Sequence, residues 1–195
     1  MRTVEEIKKI MSVKGYRWYD NNKPYNINLI GIRNIGQPNS FDDEFYIIYR
    51  DENSRLNQKC YQITTDPGTY WLKNPMNVDG TGIMVEGQYL KLWKKGFHKG
   101  DYPALVQYSP VSLYRDSDKD GQLDMDRKTI ATGIFGVNCH HAGSNSIQVD
   151  KWSAACQVFA KMKEWNEFMS IIDKSLEYYP DGKFSYTLLN NNDFK

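Results

Sequence analysis

The 195-residue sequence has few cysteines, no excess of charge and no long apolar run. Its three cysteines, Cys60, Cys139 and Cys156, form no CxxC, which argues against both a disulfide framework and a thiol zinc pair. An odd count leaves at least one thiol free to react. With 25 basic against 24 acidic residues the formal charge is +1, so no global field draws the chain to nucleic acid or an anionic membrane. No nucleic-acid partner is expected. No window approaches the ~18 apolar residues of a membrane span, and no transmembrane segment is expected. The start, "MRTVEEIKKIMSVKGYRW", is charged and lacks an apolar h-region, which predicts no signal peptide. Internal repeats, low-complexity tracts and linkers are also missing. The length suits a single domain over 1–195 with a buried core.

Aromatic residues, by contrast, are plentiful. Fourteen Tyr and five Trp help bring aromatics to 14% of the chain, which suits strand packing and also the amphipathic walls of sugar or peptide clefts. Thr3 with Glu6 forms a capping-box pattern, and Val4, Ile7, Ile10 and Met11 predict an N-terminal helix over 1–15. From residue 27 the texture becomes that of strands: "INLIGIRN", then "EFYIIYRDENSRLNQKCYQITT" as a hairpin about the polar turn Asp51 to Asn57. "GIMVEGQYLKLW", "ALVQYSPVSLYRD" and "TGIFGVNCH" continue the pattern between Gly, Pro, Asn and Asp clusters. Met162, Trp165, Met169, Ile172 and Leu176 recur at helical period, and "KFSYTLL" reads as a last strand. The fold class is mainly β (α+β): a β-rich core over 27–160, with a C-terminal helix and last strand over 161–195.

Chemistry concentrates in "HHAGSNSIQVDKWSAACQVF", residues 140–159. A thiol needs a base to become a good nucleophile near neutral pH, because its free pKa is about 8.5. His140 lies sixteen positions before Cys156, far enough for the chain to turn back and bring the two together. Small residues before the cysteine let a substrate carbonyl approach backbone N–H groups, as an oxyanion site requires. On strand alternation His141 points away from His140, toward packing or surface hydrogen bonding. His98, in "KKGFHKGDYPAL", sits in a Gly-bounded loop that can border the cleft. Without a tight pair such as HxxxH, these histidines do not read as a zinc site.

The segment resembles the catalytic motif of the YkuD-type L,D-transpeptidases, in which a histidine is followed, after a variable loop, by a Ser/Thr-His-Gly-Cys turn. His140 falls on the base, Ser153 on the Ser/Thr and Cys156 on the nucleophile. Upstream, "TTDPGTYWL" resembles the family's Thr-Pro-Thr-Gly-x-Phe element, with Thr65, Gly68 and Tyr70 on matching positions. Ala154 stands for the second histidine, Ala155 for the glycine, and Gln157 and Val158 follow the cysteine where the family often has an apolar residue and then Arg or Asn. The chain is also similar to phage and gut-bacterial proteins. The resemblance implies an L,D-transpeptidase-like β-sandwich with flanking helices, and a cysteine enzyme acting on peptidoglycan stem peptides through a thioester, with no cofactor required for catalysis. Cys156, His140 and Ser153 would be catalytic. Ala155, Gln157, His141, Thr65, Gly68, Tyr70 and His98 would bind the oxyanion or substrate. The protein would stay cytoplasmic until released, or be phage-associated, and act at the bacterial cell wall. The competing reading is a non-catalytic wall-binding or phage structural module that keeps the fold.

A second signal is "DSDKDGQLDMD", residues 116–126. Asp116, Asp118, Asp120 and Asp124 fall on positions 1, 3, 5 and 9 of an EF-hand-type loop, with the Gln122 carbonyl at 7. Arg127 replaces the bidentate Glu at position 12, and the preceding "VSLYR" reads as strand. The pattern predicts a structural Ca2+ outside an EF-hand, against a plain acidic turn.

Overall fold

The computed structural model describes residues 1–34, 36 and 38–195. Among them are three α-helices and two sheets: a closed barrel and a separate three-stranded sheet. The barrel is built from β1 (Asn28–Arg33), β2 (Asp43–Arg50), β3 (Leu56–Thr64), β5 (Gly87–His98), β6 (Tyr102–Gln107), β9 (Cys139–His141), β10 (Gln157–Phe159) and β11 (Lys183–Asn190). Its circular order is β1-β11-β5-β6-β9-β10-β3-β2. The smaller sheet runs β4 (Thr81–Met84), β7 (Val111–Asp116), β8 (Ala131–Gly133). The chain is thus mainly β with added helices, but the main sheet closes on itself where two packed layers were expected.

The difference arises at the C-terminus. β11 inserts between β1, to which it runs parallel, and β5, to which it runs antiparallel. Segment 161–195 is therefore part of the barrel and its core, not an appendage. The helix α3 (Met162–Tyr178) packs Trp165, Phe168 and Ile172 onto the barrel-lining side chains Phe45, Tyr61, Phe159 and Tyr186. Phe159 sits within 5.2 Å of the Phe45 and Trp165 ring centres, a spacing at which aromatic pairs attract beyond their burial.

Alternation along the strands divides the two faces. Leu29, Phe45 and Ile47 line the inner core, while Ile30, Ile32, Tyr46 and Ile48 face outward and are covered by Ile7 and Met11 of α1 (Val4–Val13). The capping box at Thr3 and Glu6 fixes the start of α1 as the sequence predicts. The β2–β3 hairpin also forms about the expected turn. The apparent single strands are each two: "GIMVEGQYLKLW" supplies β4 to one sheet and β5 to the other, and "ALVQYSPVSLYRD" divides likewise into β6 and β7. In "TGIFGVNCH" residues 134–138 pair with no strand and only cross between sheets. No described helix is long and apolar enough to cross a membrane.

Candidate active site

The parallel pair β9–β10 sets the candidate dyad. Gln157 lies opposite Cys139 and Val158 opposite His140. Cys139 and Gln157 are fully buried toward the barrel interior, where Gln157 Oε1 accepts from the Tyr186 hydroxyl at 2.6 Å. By alternation His140 and Cys156 share the outer face. Gln157 is accordingly an interior anchor of β10 and not a substrate contact.

The His140 ring is oriented from one side. Its Nδ1 lies 2.9 Å from the His141 carbonyl, which can only accept, so Nδ1 carries the proton. The neutral ring therefore has a bare Nε2, and this atom is buried without a hydrogen-bond partner. Tyr102 completes the support, its hydroxyl 3.1 Å from Nδ1 and donating to the same carbonyl at 3.2 Å. His98 stacks on the outer side of the ring, with ring centres 4.0 Å apart. Asn138 holds His98 in turn, through its amide nitrogen 3.2 Å from His98 Nδ1, and its Oδ1 accepts from the Gln107 N–H at 2.9 Å. Burial, followed by the neighbouring His98, pushes the His140 pKa down to about 3, so the ring is neutral across the physiological range.

The thiol sits in its own setting. The Asn138 N–H donates to Cys156 Sγ at 3.4 Å, and Sγ lies 3.7 Å from the Gly136 carbonyl. Burial pushes the Cys156 pKa up to about 11, the Asn138 contact opposing. Thiol and imidazole do not hydrogen-bond to one another here, and both rest uncharged. Fully buried Ser153 ties the turn, its hydroxyl donating to the Cys156 carbonyl at 2.8 Å.

Ala155 is the strained member of this turn. Its φ of 145° lies in the region that suits glycine, and its side chain is buried. Such a backbone costs about 1–3 kcal/mol for a residue with a Cβ. Ala155→Gly is therefore expected to stabilise the fold by about 1 kcal/mol net of the lost methyl burial and glycine's entropy, raising Tm by about 2–4 °C. A lowered Tm in thermal denaturation would show that the turn does not need a glycine.

The upstream element meets the cysteine turn directly. Gly68 N–H donates to the Ser153 carbonyl at 2.9 Å, and a Cβ at Gly68 would collide with the Asp150 backbone. Gly68 caps a short helix, α2 (Thr69–Lys73), where the sequence pattern predicts no helix. Trp71 Nε1 bonds the Lys151 carbonyl at 3.1 Å, and Lys151 Nζ lies 4.2 Å over the exposed Tyr70 ring. Thr65 is elsewhere. It is fully buried, its N–H donating to Asp43 Oδ2 at 2.6 Å and its hydroxyl accepting from Arg33 Nε at 3.0 Å. The structure thus joins Cys156, Ser153, Ala155 and Gly68 about one turn, stacks His98 on His140 and ties it to Asn138, the residue whose N–H meets Cys156 Sγ, and places Thr65 and Gln157 in the interior. His141 lines a neighbouring cavity of about 340 Å³ with Tyr102, Trp165 and Met162. Tyr102, Asn138 and Gly136 were missed by the sequence reading, since their roles come from strand pairing and no motif marks them.

At the acidic loop, Asp116, Asp118 and Asp124 bring oxygens within 4.8 Å of one another, and among the described residues no other such group of His, Cys, Asp or Glu is found. Asp120 stays outside and accepts from the Gln122 N–H at 2.6 Å. Asp116 is 1% exposed: its Oδ2 accepts from the Asp124 N–H at 3.0 Å, and its Oδ1 is buried without a partner. Burial and the facing carboxylates push the Asp116 pKa up.

Searches against protein-family models, curated proteins and solved structures find no match to this chain.

Proposed function

We propose that the chain is a cysteine-dependent acyl-transfer enzyme of L,D-transpeptidase-like type, acting on peptidoglycan stem peptides. The observation that carries this reading is the His140 ring, fixed in the tautomer that leaves Nε2 bare, beside a thiol-bearing turn whose strained Ala155 occupies a glycine conformation. A positioned base and a small-residue turn before a cysteine are what nucleophilic acyl transfer requires.

In this mechanism the Cys156 thiol leaves the Gly136 carbonyl and gives its proton to His140 Nε2. Sulfur attacks the carbonyl carbon of the bond between an L-centre and a D-amino acid. The Nδ1–H to His141 carbonyl bond stabilises the imidazolium that forms. The oxyanion would be taken by the Cys156 N–H, since the Ala155 N–H already donates to Ser153 Oγ at 3.4 Å and strand pairing begins only at Gln157. The C–N bond then breaks, the amine leaves with the proton from His140, and a thioester remains. Water resolves it by hydrolysis, or a second amine by cross-linking. Hydrolysis is the expected course, because a half-open turn without the usual polar partners of the cysteine offers little to keep water away. Mass analysis of stem tetrapeptide incubated with the protein tests the reading: released D-alanine supports it, and no product after prolonged incubation sinks it.

The second reading, a wall-binding or phage structural module, draws on the thiol's raised pKa and its lack of a bond to His140. It predicts peptide or wall binding without turnover.

We propose further that the acidic loop holds a structural calcium ion, with Asp116, Asp118 and Asp124 as ligands. The buried, unpartnered Asp116 Oδ1 supports the assignment beyond the crowding of carboxylates, and an all-oxygen donor set suits a hard cation. Affinity in the range of about 10⁻⁴–10⁻³ M is expected. Calcium at about ten times Kd would stabilise by about 1.4 kcal/mol, read as a Tm rise that chelator reverses and Asp116→Asn abolishes. A Tm indifferent to calcium and chelator would remove the assignment.

A further inference from the structure

Asn138, two positions before His140, reaches toward both members of the candidate dyad. Its backbone N–H meets Cys156 Sγ at 3.4 Å, and its side-chain amide meets His98, whose ring lies on His140 with centres 4.0 Å apart. The orientation of that amide is fixed from behind. The Gln107 N–H, 2.9 Å away, can only donate, so it takes Oδ1 and leaves Nδ2 to donate to His98 Nδ1 at 3.2 Å. A ring nitrogen that accepts carries no proton, so His98 is held uncharged, with its proton on Nε2. A charged His98 would turn an Nδ1–H toward an amide face that offers only N–H.

The charge on His98 matters to its neighbour. In the proposed step His140 becomes an imidazolium, and a second positive ring stacked on it at 4.0 Å would oppose that change directly. Other groups face His98 as well. Lys99 in the β5–β6 turn and His141 of β9 act against a positive charge there, and Asp101 of the same turn acts for one. The Tyr102 ring centre lies 5.6 Å away, and the Cys156 thiol lies across Asn138. Burial, followed by Lys99, pushes the His98 pKa below the ordinary histidine value. The Asn138 donor works in the same direction, because a hydrogen bond to the neutral form disfavours the charged one.

Resting on the proposed acyl-transfer reading, we infer that Asn138 is a positioning residue of this site: its amide holds His98 uncharged against His140 and so leaves His140 free to take the thiol proton. The proton passes from Sγ to His140 Nε2 and on to the leaving amine, and His98 neither gains nor loses one through the cycle. One residue thus holds the sulfur by its backbone and sets the charge beside the base by its side chain.

Asn138→Asp tests this with almost no change of shape. The carboxylate still accepts from the Gln107 N–H, and the backbone N–H still meets the sulfur, but an acceptor now faces His98 Nδ1. Nitrogen NMR of the imidazole rings in the full chain is expected to show the parent His98 uncharged at pH 7 with its proton on Nε2, and its pKa raised by about 1–3 pH units in Asn138→Asp. With stem tetrapeptide as substrate, kcat/KM is expected to be level between pH 6 and pH 8 in the parent, and about tenfold lower at pH 6 than at pH 8 in the variant. A merely loosened site would lose the same share at both. A parent His98 that is charged at pH 7 or carries its proton on Nδ1 overturns the inference, and so does an equal loss of turnover at the two pH values. If Asn138→Asp does not fold, Asn138→Ala decides: loss of the donor should raise the His98 pKa by about 0.5–1 pH unit, and no rise overturns the inference. A parent without turnover would sink the acyl-transfer reading, while the His98 spectra would still uphold or overturn the charge-setting role of Asn138.

Discussion

Cys156→Ala and His140→Ala are each expected to lower stem-peptide turnover by about 10³-fold or more, because removing nucleophile or base removes the covalent step itself. Neither loss should carry a comparable loss of fold, which a melting curve checks. The two changes are expected to be non-additive, since they disable one step. The resting charges shape the pH dependence. With His140 pushed down to about 3, its neutral, basic form is already present at pH 5, so no acid limb near the ordinary histidine value is expected in kcat/KM. With Cys156 pushed up to about 11, its alkylation rate should keep climbing between pH 8 and pH 10, about tenfold per pH unit. Cys156 should still be the first of the three thiols to react: Cys139 is fully buried, and although burial raises Cys60 and Cys156 alike, the proposed mechanism gives only Cys156 a base, His140, to take its proton. Faster labelling at Cys60 than at Cys156 would count against a nucleophile poised by its turn.

Arg33→Met should cost the largest share of stability, about 3–5 kcal/mol, with Tm lower by roughly 6–20 °C. Arg33 is 1% exposed and holds Asp66 and Glu86 by ion pairs and Thr65 through both its hydroxyl and its carbonyl. Taking away the cation leaves Asp66 beside Asp43 in a water-poor interior and Glu86 without its cation, and Asp43 in turn holds the N–H groups of Thr65 and Asn34. The same cluster gives a pH signature. Burial, with Asp66 adding, raises the Asp43 pKa from 3.8 to about 8 in the fold. A raised acid favours the fold below its unfolded pKa, and that contribution fades as pH rises through about 8. Stability is thus expected to fall between about pH 4 and pH 8 and to level off above, and Asp43→Asn to flatten the fall. A Tm for Arg33→Met within 2 °C of the parent would show that the buried charges are neutralised some other way.

What could be read from the sequence was what neighbouring residues decide among themselves. Thr3 and Glu6 cap α1 because a capping box is closed within four residues. The β2–β3 hairpin follows from two apolar runs about a polar turn. Residues 116–124 bring Asp116, Asp118 and Asp124 together because loop spacing alone does so, although only the fold buries Asp116 beneath the sheet and keeps Asp120 out. Motif spacing also gave the gathering of Cys156, Ser153, Ala155 and Gly68 about one turn.

Tertiary structure decided everything that depends on pairing across the chain. The last strand reads from its sequence only as a strand, yet β11 enters between β1 and β5 and closes the barrel, and no local pattern encodes its parallel pairing with β1. Alternation sends Gln157 inward and Cys156 outward only once β10 has taken its register against β9, which is why one neighbour of the thiol is core and the other site. The same register puts the His141 carbonyl under His140 and fixes the ring's tautomer, while β5 delivers His98 onto its outer side. Thr65 was drawn from a motif into the interior by Arg33 and Asp43, partners that lie 32 and 22 residues away. Residue types named the chemistry available to this chain, and burial and strand register selected which atoms can carry it out, because charge and hydrogen bonding depend on surroundings that only the closed fold supplies.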